Sequence, residues 1–325
     1  MEIKPTGLDG KEEEMDHFYM TEQGLTVYRV GKEREHKSFV SLLLDLAGDE
    51  SPKAILIDGG EYDLFREYTA EVEKGRIVIP PDDIRASDYF KSYNAFVPNN
   101  TKIRGLGDVI FSFEPKKDEI SYGASRTWSP LNVYGSVEME NITVICKNAR
   151  YCLHNDDHNL YPGSVQIYRN CRFEYKLSDK DDQGRLLGFN NAIGFGIDIG
   201  STHVFEDCEI FFNGKGDHSA YYGHNSGRGK GTSHILLKNC YIHASDETNK
   251  RVIRFQTLAR EQKINQVTAK IENCAVNGGL TLNLYHPDSV QNFQVIYFKT
   301  PKMPVDRTIA EGGEIQDPFE IQYIN

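Results

Sequence analysis

The feature that most constrains this chain is a short pattern that keeps returning through its middle: VEMENITV, VQIYRNCRF, HVFEDCEIF, ILLKNCYIH and AKIENCAVN. Each is a strand-like alternation of apolar and polar residues broken by Asn or Asp. The residue after the break is Ile142, Cys171, Cys208, Cys240 and Cys274, at intervals of 29, 37, 32 and 34 residues. An upstream segment, TKIRGLGDVIF, fits the same frame near Asp108 or Val109. Helical repeats of similar period need two amphipathic helices per unit, whereas these segments are rich in Val, Ile, Phe, Tyr and Thr with Gly and Asn between them.

Stacked strands satisfy that pattern. In a parallel β-helix each coil contributes three short strands, and equivalent residues of successive coils stand about 4.8 Å apart in columns along the axis. An Asn or Asp at a sharp corner tolerates left-handed backbone, and its side chain reaches its counterpart one coil away. Asn141, Asn170, Asp207, Asn239 and Asn273 are therefore expected to form a ladder, and the residue after each to point inward. That places four of the six cysteines in the core as small, reduced, apolar-tolerant side chains. The fold class expected is all-β: a single-stranded right-handed parallel β-helix with a short N-terminal capping helix. A chain of 325 residues exceeds the usual single-domain size, but a solenoid is not bound by it, because each repeat packs only on its neighbours.

Around the repeat, residues 1–26 read as an extension or attachment segment and 27–54 as a cap, with helical spacing over 37–47 (KSFVSLLLDLA) that would cover the open end of the coils. Residues 55–286 form the β-helix and 287–325 a C-terminal cap. Three polar insertions, 154–163, 176–190 and 213–233, interrupt the coils, and long loops on a regular scaffold are where function tends to sit.

RVGKEREHKSFVSLLLDLAG, then KAILIDGGEYDL, then VPNNTKIRGLGDVIFSF resemble the opening of pectin-lyase-like β-helix proteins, in which a short helix precedes a GxYD strand and a GxGD coil. Gly59, Gly60 and Tyr62 match the first motif; Gly105, Gly107 and Asp108 match the second. The resemblance runs over roughly residues 27–285 and speaks to fold rather than activity. The polygalacturonase motif set is not present in order, and the signatures of pectate lyases are missing.

Between one corner and the next, each coil carries a further strand: RYCLHND, AIGFGIDIG, AYYGHNS, VIRFQTL and LTLNLYH. Aligning the first with the third pairs Tyr151 with Tyr221, His154 with His224 and Asn155 with Asn225; alternation extends the column to Gln256 and Asn283, with Asp198 nearby. Arg150, Asp156, Asp157, His158, His218, Tyr222 and Arg254 run beside it. The expectation is a polar, outward-facing stripe suited to a saccharide, with planar hydrogen-bonding groups for hydroxyls, Tyr rings for sugar faces and Arg for sugar carboxylates. Two chemistries stay open on it. Glycoside hydrolysis would use carboxylates from Asp156, Asp157 and Asp198; lyase chemistry would use a base such as His154, His224 or Tyr221 beside Arg254.

No cofactor is expected. Asp179, Asp181 and Asp182 have the oxygen-rich composition a calcium ion takes, with a solvated loop as the plainer reading. Trp128 is expected to pack, and GRGKG at 227–231 lacks phosphate-loop spacing. The formal charge of −11 argues against a nucleic-acid partner. No apolar run is long enough to span a bilayer, and the first residues lack the basic start and apolar stretch of a secretory signal. A β-helix with an N-terminal extension and a sugar-like face resembles bacteriophage tail spikes and receptor-binding proteins. The resemblance implies a virion location, a bacterial surface polysaccharide as ligand, other tail or baseplate proteins as partners through the N-terminus, and a homotrimer. A free-standing polysaccharide lyase or hydrolase, and a purely structural virion protein, are the alternatives.

Overall fold

In the computed structural model the described residues are 24–83, 92–155, 160–197, 200–224, 233–256, 267–284, 293–298, 305–309 and 321–324. They form an all-β solenoid in which every named strand pairing is parallel. Each coil lays down three strands, so the solenoid has three faces. Strands before the corner, such as Val165–Arg169, Thr202–Glu206 and Ser233–Lys238, make face one; those after it, such as Arg172–Lys176, Glu209–Asn213 and Tyr241–Ala244, make face two. Val137–Cys146 runs through the corner and joins both in one sheet. Face three is a separate sheet that includes Leu153–Asn155, Asn191–Gly196, Ser219–His224, Ile253–Gln256 and Leu280–Leu284.

The corner explains the repeat. Asn141, Asn170, Asp207, Asn239 and Asn273 all have φ between 50° and 59°, the left-handed region that a short polar side chain tolerates best. Asn170 Nδ2 donates to Asn141 Oδ1 at 2.7 Å, and Asn273 Nδ2 to Asn239 Oδ1 at 2.8 Å. The residue after each corner is buried, and Val109 pairs with Ile142, so the frame does begin in the TKIRGLGDVIF segment. Cys171, Cys208, Cys240 and Cys274 are free thiols about 3% exposed, each donating to backbone carbonyls. Burial and the neighbouring thiols push the Cys240 thiol up to about 12, the contact with Cys208 first among the causes, so it stays protonated and unreactive.

Inside, the alternating residues form columns of like character. Tyr168, Phe205, Leu237 and Ile271 stack on face one, with the first two rings 4.7 Å apart; Phe173, Ile210 and Ile242 stack on face two. At the N-terminal end, Ser38 caps a helix, Phe39–Asp45, by accepting from Ser41 N. Phe39, Val40, Leu42 and Leu43 join the core, and Phe39 lies 4.8 Å from Phe111, so this helix closes the interior as its spacing implies. A second helix, Leu64–Glu73, adds Leu64, Phe65 and Tyr68, against which Trp128 packs. Parallel pairing starts as early as Thr26 and continues through Val305–Ile309 and Ile321–Ile324.

Face one shows on its outside what holds the coils in register. One column reads Arg104, Glu140, Arg169, Glu206, Lys238 and Glu272, with the sign of charge alternating from coil to coil. Arg169 reaches Glu138 at 2.5 Å and Glu206 at 3.2 Å, and Lys238 reaches Glu206 at 2.6 Å. Lys238, followed by Arg169, holds the Glu206 carboxyl below the usual range. Arg169→Glu would set like charges against one another on both neighbouring coils. We expect a loss of roughly 1–2 kcal/mol, read as a lower thermal midpoint, with the gap to wild type narrowing in high salt. Among the described residues no helix is long and apolar enough to cross a membrane.

Candidate functional site

The outward positions of face three gather the imidazole, aromatic and amide groups singled out in the sequence. Their register is settled by pairing. Asn132, His154, Gly194, Tyr222, Arg254 and Thr281 fall in one column; Gly196, His224, Gln256 and Asn283 fall in the next. His224, Gln256 and Asn283 thus share a column as expected. His154 does not share it with His224; it stands two residues back along the strand, in line with Tyr222. Tyr221 and Asn155 are not on this face at all. Tyr221 pairs with Ile193 and Ile253 and is fully buried in the core, and Asn155, also fully buried, pairs with Phe195.

Tyr151 is the hub of the cluster. Its ring lies over Gly194 so closely that a Cβ there would meet it at 2.5 Å. His154 stacks on it at 5.2 Å between centroids, His224 at 6.2 Å and Phe189 at 5.4 Å. Tyr222 stands 5.1 Å from His224 and donates its hydroxyl to Gln256 Oε1 at 3.0 Å. Arginines rim the group. The Arg254 guanidinium is 5.1 Å from the Tyr222 ring and that of Arg150 is 5.6 Å from Tyr151, while Arg126 sits 3.6 Å over Phe189.

One tautomer follows from the hydrogen bonds. Asn132 turns its Nδ2 toward the carbonyls of Ser129 and Ala95, which leaves Oδ1 facing His154 Nδ1 at 3.2 Å. Neutral His154 therefore carries its proton on Nδ1 and its lone pair on Nε2, the arrangement of a base held in orientation by an amide. His218 lies apart from the stack against Phe212; burial first, then Arg251 and Arg254, lower its pKa, with Asp217 opposing.

The stripe is not solvated, contrary to expectation. His154, His224 and Tyr151 are at most 3% exposed, and Arg150, Tyr222 and Gln256 are buried too. The Tyr151 ring lies over Gly194 with His154, His224 and Phe189 stacked around it, so these rings cover one another instead of projecting into water. The connections leaving this face at 156–159, 198–199, 225–232 and 257–266 lie outside the described residues, and with them Asp156, Asp157, His158, Asp198 and Asn225. Sequence reasoning missed Gly194, Phe189, Arg126 and Asn132. The one available signal was the Gly-x-Gly of AIGFGIDIG, which empties two successive outward positions of a strand.

The acidic loop does not converge on a common point. Asp179 is taken by Lys147 and Asn148, Asp181 by Arg185 and its own loop backbone, and Asp182 by Lys117. Each carboxylate is spent on its own cation, and among the described residues no group of three His, Cys, Asp or Glu side chains is placed to hold a metal ion.

No family model and no curated protein matches this chain. Among solved structures it is similar to a pectin methylesterase from Aspergillus niger in penultimately deglycosylated form, at 11% identity and TM-score 0.37, over 93% of this chain and 91% of that one. A second structure of that enzyme, deglycosylated, gives 10% identity and TM-score 0.33 over the same shares. A pectin methylesterase mutant in complex with a hexasaccharide gives 10% and 0.34, over 91% and 92%. At such identities and scores these likenesses carry no argument about chemistry.

Proposed function

We propose that face three binds a polysaccharide and that His154 and His224 act on it as acid–base groups. The observation that supports this is the cluster itself. Two imidazoles bracket one tyrosine ring, with Gln256, Arg150 and Arg254 around them, on the face from which the long connections leave. Packing alone would be served by apolar residues, which avoid the cost of burying polar atoms. His154→Ala and His224→Ala, singly and together, should lower release of reducing ends, or of unsaturated sugars, from bacterial capsule by about 10²–10⁴-fold, measured at a temperature where each variant remains folded, since loss of a buried ring lowers the thermal midpoint. Turnover unchanged in the double variant would dismiss the proposal; glycan-array binding without turnover in wild type would reduce it to a binding module.

Within that reading, the finer proposal is a tail-spike-like virion component whose ligand coats a bacterium, attached through residues 1–26 and assembled as a homotrimer. It is supported by the sequence resemblance alone. A solution mass of one chain, or a gene neighbourhood without tail genes, counts against it.

A further inference from the structure

Face two carries a separate constellation that the proposed site does not use. Its outward residues fall in two columns, Thr143, Arg172, Glu209, Tyr241 and Ala275 in one, and Ile145, Glu174, Phe211, His243 and Asn277 in the other. Tyr241 stacks on His243 with centroids 3.9 Å apart and planes 10° apart, and His243 stacks on Phe211 at 4.2 Å and 14°. His243 is thus sandwiched, and its Nε2 lies 2.8 Å from Glu209 Oε1. Arg172 holds the other oxygen of Glu209 at 2.5 Å and Glu174 at 2.9 Å. Both oxygens of Glu209 are therefore fixed, one by an imidazole and one by a guanidinium. Tyr241 ends the stack, and its neighbour on the next coil is only Ala275. Tyr241 is left 44% exposed, one of the few large apolar residues so placed among the described residues. Beside it runs a groove of about 510 Å³ lined by Arg172, Glu209, Thr143, Asp207 and the amides of Asn141 and Asn170.

We propose that this groove and the Tyr241 ring form a second saccharide-binding surface, selective for neutral glycans. The chemistry narrows the occupant. Asp207 and the nearby Asp108 repel phosphate, sulfate and uronate polymers. The strands beneath are paired on both sides, so an added peptide strand finds no edge. A bare cation gains little from Glu209, whose charge is already balanced by Arg172 and stabilised by His243. What the surface offers is a flat apolar ring next to fixed donors and acceptors of both kinds, including side-chain amides repeated from coil to coil. An uncharged sugar needs just that: an apolar ring face to lie on the tyrosine and hydroxyls to meet amide and carboxylate oxygens. Prior fixing of Glu209 and His243 lowers the ordering cost of binding.

The face-two groove shares no residue with the face-three cluster, so binding at the two can be separated. The full chain is run in native gels cast with a neutral α-glucan, a neutral β-glucan, galactomannan or arabinoxylan, and in one cast with polygalacturonate. At least one neutral polymer is expected to retard the wild type, with Tyr241→Ala losing tenfold or more in apparent affinity, Tyr241→Trp keeping it, and melting unchanged. The double variant His154→Ala, His224→Ala should retain this Tyr241-dependent retardation. The proposal is overturned by retardation in none of the four neutral gels, by retardation that ignores Tyr241→Ala, or by retardation in polygalacturonate only. A change in solution mass on Tyr241→Ala overturns it as well, by assigning the face to contact between copies of the chain.

Discussion

Lowering the pH from 6.5 toward 3 should cost the wild type several kcal/mol that a His203→Leu variant keeps. His203 sits inside the coils on face one, between Gln166 below and Ile235 above, and is fully buried. Its ring meets the edge of Phe195 at 4.5 Å, and among the described residues neither ring nitrogen has a hydrogen-bond partner. Burial alone drives its pKa down to about 3. The unfolded chain holds the same imidazole near 6.5. Between those values the unfolded state binds the proton and the folded state does not, so stability rises with pH across the window. The contribution is complete above pH 6.5 and is lost as pH falls toward 3, to a limit of about 5 kcal/mol. Carboxylates titrate in the lower part of that range in both proteins and cancel in the comparison. Urea midpoints measured from pH 7 to 4 should therefore diverge, the wild type falling faster. Parallel curves would mean that His203 is reached by water or by a donor, and the argument from burial would fail.

The fold was legible where backbone geometry dictates residue type. A corner at φ of 50–59° admits few side chains, so Asn and Asp recur there, and the tight interior step after it selects a small residue, hence the run of Cys. Those two demands fix faces one and two from the letters alone. Face three has no corner that recurs on every coil; a left-handed Asn precedes only two of its named strands, Asn148 at φ 53° and Asn190 at φ 56°. Its strands are bounded by connections of unequal length, and nothing in its sequence pins the register. The shared spacing of Tyr151 to His154 and Tyr221 to His224 suggested an alignment that the pairing does not follow. A slip of two residues preserves which side a residue faces, so both histidines still point outward. Tyr221 and His224, however, are three apart on one strand and must face opposite sides. Parity alone excludes Tyr221 from the stripe, and the same holds for Asn155 beside His154. Tyr151 escapes the rule because it precedes its strand, which leaves it able to fold over Gly194. Nor does an outward position have to be solvated: Gly194 on one coil makes room for the Tyr151 ring of the coil before it.

At the corner, Asn170→Val should destabilise the protein far more than Asn170→Gly, although both remove the ladder amide. Asn170 has φ 50° and donates to Asn141 Oδ1 at 2.7 Å. Glycine adopts that backbone freely and forfeits only the side-chain bond, about 1 kcal/mol. Valine forfeits the bond and must also be held, β-branched, in the left-handed region, for a total of about 2–4 kcal/mol. The strain cannot relax, because Asn170 N is bonded to the Glu206 carbonyl and Cys171 behind it is packed in the core. The opposite sign is expected one coil on. Asp207 has the left-handed φ but no amide, so it cannot donate to Asn170 Oδ1 as Asn170 does to Asn141. Asp207→Asn supplies that donor and should stabilise by about 0.5–1 kcal/mol, but only while Asn170 is present. A double-mutant cycle with Asn170→Gly tests this coupling directly. If Asp207→Asn gains the same amount with and without Asn170, its effect is loss of a charge, and the ladder contributes nothing between those coils.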